Sequence, residues 1–319
     1  MEWHTIVTPE RPETLFSYKT RFVLLGSCFA QEMALRMNDL WFWVGADAFG
    51  PLFNPASVGA ALERLDAPSL FEAQDVFPLP AGGYADFWHH SSFARSSASA
   101  FLEEANKTLA YASSFFSEAQ VVIISLGTSW AFRPVEDSLR QRCPVVANCH
   151  KFPAARFERF FMEPEQVFQA LAPLIARHPQ KQWLFTVSPI RHWGDGAHGN
   201  QLSKASLQLG IRQLEQHFPQ VSYFPAYEIL LDELRDYRFY AQDRFHPSAE
   251  AQDYIWQRFL TSYFDDVSQE TVVQINKLNQ MKKHVPRYPN NEVQQELQQK
   301  IAVLREKIAQ MIVNVRKNT

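Results

Sequence analysis

The feature that most constrains this chain is an alternation of two patterns. Short apolar runs at residues 21–25 (RFVLL), 120–126 (QVVIISL) and 182–187 (QWLFTV) are bounded by polar or turn residues and separated by segments of helical spacing. Runs apolar throughout, rather than at every second position, belong to strands covered on both faces, as in a mainly parallel sheet. A further run, WFWVG, stands at 41–45. Residues 28–40 carry Phe29, Met33, Met37 and Leu40 at helical intervals, and Asn54-Pro55 supplies an N-cap and first-turn proline for a helix reaching Leu65. Segments 163–178, 200–217 and 248–265 also fit helices. This pattern predicts an α/β fold, a three-layer α/β/α sandwich with a mainly parallel sheet over residues 1–266. Reactive groups are expected at the carboxyl ends of the strands. LPAGGYADFWHH (79–90) reads as a Gly-Gly hairpin, an insertion at about residues 76–92.

After Asp266 the chain becomes rich in Gln and Lys, breaks at HVPRYPNN (284–291), then carries Leu297, Ile301, Leu304, Ile308, Met311 and Val315. Intervals of four and three are the a/d rhythm of a coiled coil. Residues 267–319 are therefore expected to form a helical tail. Its stripe either covers the body of the same chain or pairs copies in a homo-oligomer through residues 293–316, since three heptads are near the minimum for an independent coil.

Charge and cysteine usage narrow the partners. The chain has 31 Lys+Arg against 34 Asp+Glu, a net charge of −3, so no positive excess favours nucleic acid. No apolar run approaches the roughly 18–20 residues that span a bilayer, and the first sixteen residues lack a basic segment followed by an apolar one. A cytoplasmic protein is the expectation. Cys28, Cys143 and Cys149 form no CxxC pair and read as reduced thiols. His89 and His90 are adjacent, and His192 and His198 lie in a glycine-rich loop whose nearby acid is Asp195. No metal and no cofactor is expected from that spacing.

Two motifs carry chemistry. Gly26-Ser27-Cys28 follows the first apolar run directly and opens a helical pattern. Ser27 therefore sits at a strand-to-helix corner, where free helix N–H groups and the dipole stabilise developing negative charge. The plain alternative is a serine N-cap. In Asp243-Arg244-Phe245-His246-Pro247-Ser248, a carboxylate three residues ahead of an imidazole can take the Nδ1 proton and leave Nε2 free as a base, which a serine hydroxyl needs near neutral pH. Here the alternative is a surface pair before a Ser248-capped helix. Cys28 and Cys149 are rival nucleophiles, Cys149 lying beside His150. SPIRHWGDG (188–196) follows the run 182–187 and reads as a substrate wall. In it Arg191 and His192 are candidate binding residues, as are His150 and Lys151 of NCHK. Arg191 either grips an anion or pairs with Asp195, while Asn200, Ser203 and Lys204 are read as an anion-favouring helix start. Trp130, Phe132, Trp193 and Tyr240 read as core or rim packing.

Taken together, Gly26-Ser27 after the first strand and Asp243-x-x-His246 before the last core helix resemble the SGNH (GDSL-like) hydrolase superfamily. Within it the chain is similar to the GSCFA family. The carrying segments are GSCFA (26–30), FGPLFNP (49–55), LGTSW (126–130), NCHK (148–151), SPIRHWGDG (188–196) and RDYRFYAQDRFHPS (235–248). The resemblance implies an SGNH/flavodoxin-like fold and a triad of Ser27, Asp243 and His246. It implies an oxyanion hole using the N–H of Ser27 and that of Gly50, with Gly45 as competitor. Where the superfamily commonly has Gly-x-Asn-Asp, this chain has Gly127-Thr128-Ser129-Trp130. Thr128, Ser129 or Asn148 is then the candidate third donor, and Gly26 replaces the usual aspartate before the nucleophile. The implied activity is hydrolysis of an acyl ester through an acyl-enzyme. Acyl transfer by the same triad, or a non-catalytic anion-binding scaffold, are the alternatives.

Overall fold

The computed structural model describes residues 5–283 and 291–317. The break expected at 284–291 thus lies, but for Asn291, outside the described residues. In chain order the strands are β1 (Arg21–Gly26), β2 (Trp43–Val44), β3 (Phe77–Pro78), β4 (Tyr84–Ala85), β5 (Val121–Leu126), β6 (Trp130–Pro134), β7 (Phe157–Phe161), β8 (Gln182–Val187) and β9 (Val221–Tyr223). The α-helices are α1 (Cys28–Asp39), α2 (Pro55–Asp66), α3 (Ala98–Glu118), α4 (Asp137–Arg142), α5 (Pro164–Arg177), α6 (Gly196–His217), α7 (Ala226–Glu228), α8 (Ala249–Tyr263), α9 (Asp266–Lys283) and α10 (Asn291–Lys317).

The central sheet has the order β2-β1-β5-β8-β9, and every pairing within it is parallel. From β1 the chain adds β2 on one side and then β5, β8 and β9 on the other, so the order of strands across the sheet reverses between β1 and β5. Loops leaving two strands at such a switch point diverge to opposite faces and leave a crevice. The sheet is covered on both sides, and side-chain alternation divides two cores. Val23, Leu25, Val122, Ile124, Leu126, Trp183 and Phe185 pack with α2, α3, α5 and α6. Phe22, Leu24, Val121, Ile123 and Leu184 pack with α1, α8, α9 and α10. This is the expected three-layer α/β/α arrangement.

Local rules account for most boundaries. Asn54 Oδ1 accepts from Ser57 N at 2.8 Å, with Pro55 at the first position of α2. Glu163 and Gln166 form a capping box at α5, and Ser248 accepts from Ala251 N at α8. The expected hairpin forms between β3 and β4, with Gly82 and Gly83 at positive φ in its turn. Sequence reading missed α3, β9 and the antiparallel pair β6–β7. The helix expected to start near residue 200 starts at Gly196.

Part of the tail stripe packs on the chain's own body. Ile308 and Ile312 are buried in the second core, with Ile301, Leu304 and Val315 packed against it. Arg316 lies 4.0 Å from the Trp43 ring centroid and donates to the Tyr18 carbonyl at 3.1 Å.

One contact sets how closely the end of β1 approaches β5. Gly26 has φ +125°, and a Cβ there would lie 2.1 Å from the Ser125 carbonyl oxygen. Gly26→Ala is expected to destabilise the fold by about 3 kcal/mol or more, from strained backbone plus a backbone clash. Ile308→Ala is expected to cost about 2–4 kcal/mol through the cavity it opens. Urea unfolding monitored by circular dichroism checks both.

Candidate active site

Ser27 occupies the N-cap position of α1, with φ −65° and ψ 173°, yet its side chain makes no capping hydrogen bond. That separates it from Ser97 and Ser248, whose hydroxyls do cap their helices. Instead Ser27 Oγ lies 2.9 Å from Ser125 Oγ, and Ser27 N donates to the Ser125 carbonyl at 2.9 Å. Ser125 thus holds both ends of Ser27 at the β1/β5 switch point. Ser27 is 1% exposed.

The Asp243–His246 pair forms as the spacing suggests. Asp243 Oδ1 accepts from Phe245 N at 2.9 Å and His246 N at 3.0 Å, while Oδ2 lies 2.6 Å from His246 Nδ1. Those two backbone N–H donors, with the imidazole, hold the Asp243 carboxyl down at about 2. The dyad loop is anchored by Ala241 N to His246 O at 2.8 Å and Ser248 N to Phe239 O at 2.8 Å. Arg191 N donates to Phe245 O at 3.2 Å, joining this loop to the one after β8.

Burial raises the Glu32 carboxyl, and His246 and Arg36 offset part of that rise. His192, after β8, also feels His246. Its imidazole is pushed down to about 4 by burial, then by Lys204 and His246, so it is neutral at pH 7. Ser27 follows β1, His192 follows β8, and Arg191 N bonded to Phe245 O holds the His246 loop against the one after β8, so all three stand toward the carboxyl edge of the sheet. No hydrogen bond joins Ser27 to His246, whose ring is 46% exposed.

Other expected residues are placed as follows. The Gly50 N–H donates to Asp47 Oδ1 at 2.7 Å, and Asp47 also accepts from Phe49 N and from Gln31. Both expected main-chain oxyanion donors, Ser27 and Gly50, are thus engaged within the fold. Gly45 N donates to the Phe22 carbonyl in the β1–β2 ladder region, so it too is engaged. The Thr128 hydroxyl accepts from Trp130 N and contacts Ser203 Oγ at 3.1 Å. Asn148 Oδ1 accepts from His150 N at 2.8 Å.

His150, a candidate binding residue, is engaged within the fold. Its Nε2 lies 2.6 Å from the Asp86 carbonyl and its Nδ1 3.1 Å from Ser91 Oγ, so it ties the NCHK turn to the hairpin. Lys151 is exposed, and both residues have positive φ. The Asn200-Ser203-Lys204 reading is corrected, since all three are buried inside α6. Asn200 Oδ1 accepts from His192 N at 2.9 Å, and Lys204 Nζ donates to the Gly127 and Ser188 carbonyls at 2.8 and 2.7 Å. Lys204 is a tie between the loops after β5 and β8. Asp195 pairs with Arg159 rather than Arg191. Ser129 is locked to Ser203. Trp130 and Phe132 lie on β6, Trp130 against Phe161 and beneath Arg159.

The thiols are poor rivals for Ser27. Burial and Glu32 raise Cys28, and burial pushes Cys149 up to about 11. A thiol above its ordinary range carries little thiolate at pH 7. Among the described residues no three His, Cys, Asp or Glu side chains are arranged to hold a metal ion, and no helix is long and apolar enough to cross a membrane.

Sequence reading missed Ser125 and Asp47. Asp47 had a weak signal, an acid two residues before a Phe-Gly turn; Ser125 had none within its apolar strand.

Comparison with known proteins agrees on one point. The model of the GSCFA family matches residues 21–259, more than half of the chain, so the chain belongs to that family. No curated protein matches the sequence.

Lys204 supplies a pH test of this edge. Full burial, with Arg191 nearby, lowers its amine from 10.5 to about 7. Between those values the unfolded chain holds the proton and the folded chain does not, so this group adds stability as pH rises from about 7 toward about 10. Relative to Lys204→Met, the wild type is expected to gain about 1 kcal/mol per pH unit between about pH 7.5 and 9.5. Unfolding free energies across that window check it; parallel curves would refute it.

Proposed function

We propose that the chain is an SGNH-type serine hydrolase acting on an acyl ester. The observation that carries this reading is the fixed dyad. Asp243 holds Nδ1 of His246 at 2.6 Å while its backbone bonds set the loop, leaving Nε2 as the nitrogen free to take a proton. Support comes from Ser27, whose hydroxyl is withheld from its own helix cap and stands at the switch point beside the positive end of α1.

In this reading Ser27 Oγ turns from Ser125 Oγ to an acyl carbonyl as His246 Nε2 accepts its proton. Asp243 stabilises the imidazolium. The carbonyl oxygen becomes an oxyanion, held by α1's N-terminal end and by donors among Ser27 N–H, Gly50 N–H, Thr128 and Asn148. The N–H groups of Ser27 and Gly50 reach it only by releasing the Ser125 carbonyl and Asp47. His246 then returns the proton to the leaving alcohol, and the acyl-enzyme forms. Water resolves it in an esterase, and a bound alcohol or amine does so in an acyltransferase.

A non-catalytic, anion-binding scaffold is the second reading, and one observation favours it. Ser27 is almost fully buried with its N–H already bonded. The two readings part experimentally. Wild type is expected to hydrolyse short activated esters and to be labelled by a serine-directed phosphonate. Ser27→Ala is expected to lose labelling, and Ser27→Ala and His246→Ala each to lose at least about 10³-fold in kcat/KM. Equal behaviour of all three proteins would remove the hydrolase reading.

A further inference from the structure

We propose that the cleft beginning one residue from His246 is an anion subsite, taking a carboxylate or phosphate borne next to an aromatic or apolar group of the substrate. This inference rests on the hydrolase reading for its role, though not for its binding chemistry. The cleft encloses about 450 Å³. Its cations are Arg191, Arg235 and Arg244, and its aromatic walls include Trp193, Tyr237 and Tyr240. Ligand sites of this size commonly combine apolar walls with a few convergent polar groups.

Three observations point to an anionic occupant. First, Arg191 has no carboxylate partner among the described residues, and Asp195 is taken by Arg159. Its Nε is buried without a hydrogen bond, and its guanidinium lies 4.8 Å from the Trp193 ring centroid. Second, Arg235 and Arg244 are exposed and form no ion pair among the described residues. Third, both carry positive φ, 42° and 65°, where glycine is the unstrained choice. Arg235 follows a π-helical turn, Ile229–Leu234, and Arg244 lies inside the dyad motif. An arginine at a backbone position that disfavours any side chain points to use of the side chain itself.

Among the described residues that line the cleft, the one acid is Asp236. It accepts from Arg238 N at 2.9 Å and faces the Arg238 guanidinium at 4.0 Å, so its charge is partly met from outside the cleft. A planar guanidinium grips carboxylate or phosphate oxygens in pairs and stacks on rings, so the set recognises an anion joined to an aromatic better than either alone.

Calorimetric titration of the full chain with phenylphosphate, benzoate and benzyl alcohol tests the subsite without requiring turnover. At least one of the two anions is expected to bind about tenfold or more tightly than the neutral alcohol at low salt, a preference that shrinks as salt screens the exposed arginines. Arg235→Gln and Arg244→Gln, both at exposed positions, are each expected to weaken the anion about threefold or more, and the variant with Gln at all three arginine positions to abolish the preference. Equal binding of anions and alcohol, or an unchanged preference in the fully substituted variant with wild-type melting, would overturn the proposal. Ester turnover with no anion preference removes the subsite and leaves the hydrolase. Anion preference without turnover in the wild type removes the hydrolase and leaves the subsite.

Discussion

The architecture of the candidate site depends on the close approach of two backbones, that of Gly26 to that of Ser125. With no Cβ at Gly26, β1 can end against the Ser125 carbonyl, and the following residue can hand both its N–H and its hydroxyl to the same serine. Neighbouring loops are then hung from this junction. Leu52 N bonds to Gly26 O, and Phe53 O accepts from both Gly127 and Thr128. Lys204 closes the far side by joining Gly127 to Ser188. An aspartate before the serine could not be accommodated at that φ and that distance.

The scaffold was legible to the degree that burial and capping are local. Strands apolar on both faces, Asn54-Pro55 before α2 and the Gly-Gly turn are each decided by a few adjacent residues, and each stands where the sequence suggests. What escaped reading lacked a local signature. The buried face of α3 is Phe101, Ala105, Leu109, Ala112 and Phe116, so small alanines break its stripe. Strand β9 has only three residues, and β6 with β7 is half-exposed, short of the continuous apolar run that marks a buried strand.

The site divided along the same line. Asp243 and His246 lie three residues apart and meet through one turn, so their spacing alone was informative. Ser27 and Ser125 are 98 positions apart, and nothing in VVIISL distinguishes a serine that holds the candidate nucleophile from one that fills a strand. The commitment of the Gly50 N–H to Asp47 was equally hidden, because a motif names a glycine but not the partner its amide has found. Conversely, residues that look chemical in sequence, His150 and Lys204, turn out to be internal ties whose polar atoms are spent on carbonyls.

The tail helix has a consequence for biogenesis. Ile308 and Ile312 help close the core that also contains Phe22, Leu24 and Met37, so the layer begun by the first strand is sealed by a segment translated long afterwards. While the ribosome is still working, that greasy surface stands open to other nascent polypeptides. Until α10 clears the exit tunnel, the apolar surface that Ile308 and Ile312 cover is bare, the condition under which partly folded chains associate wrongly.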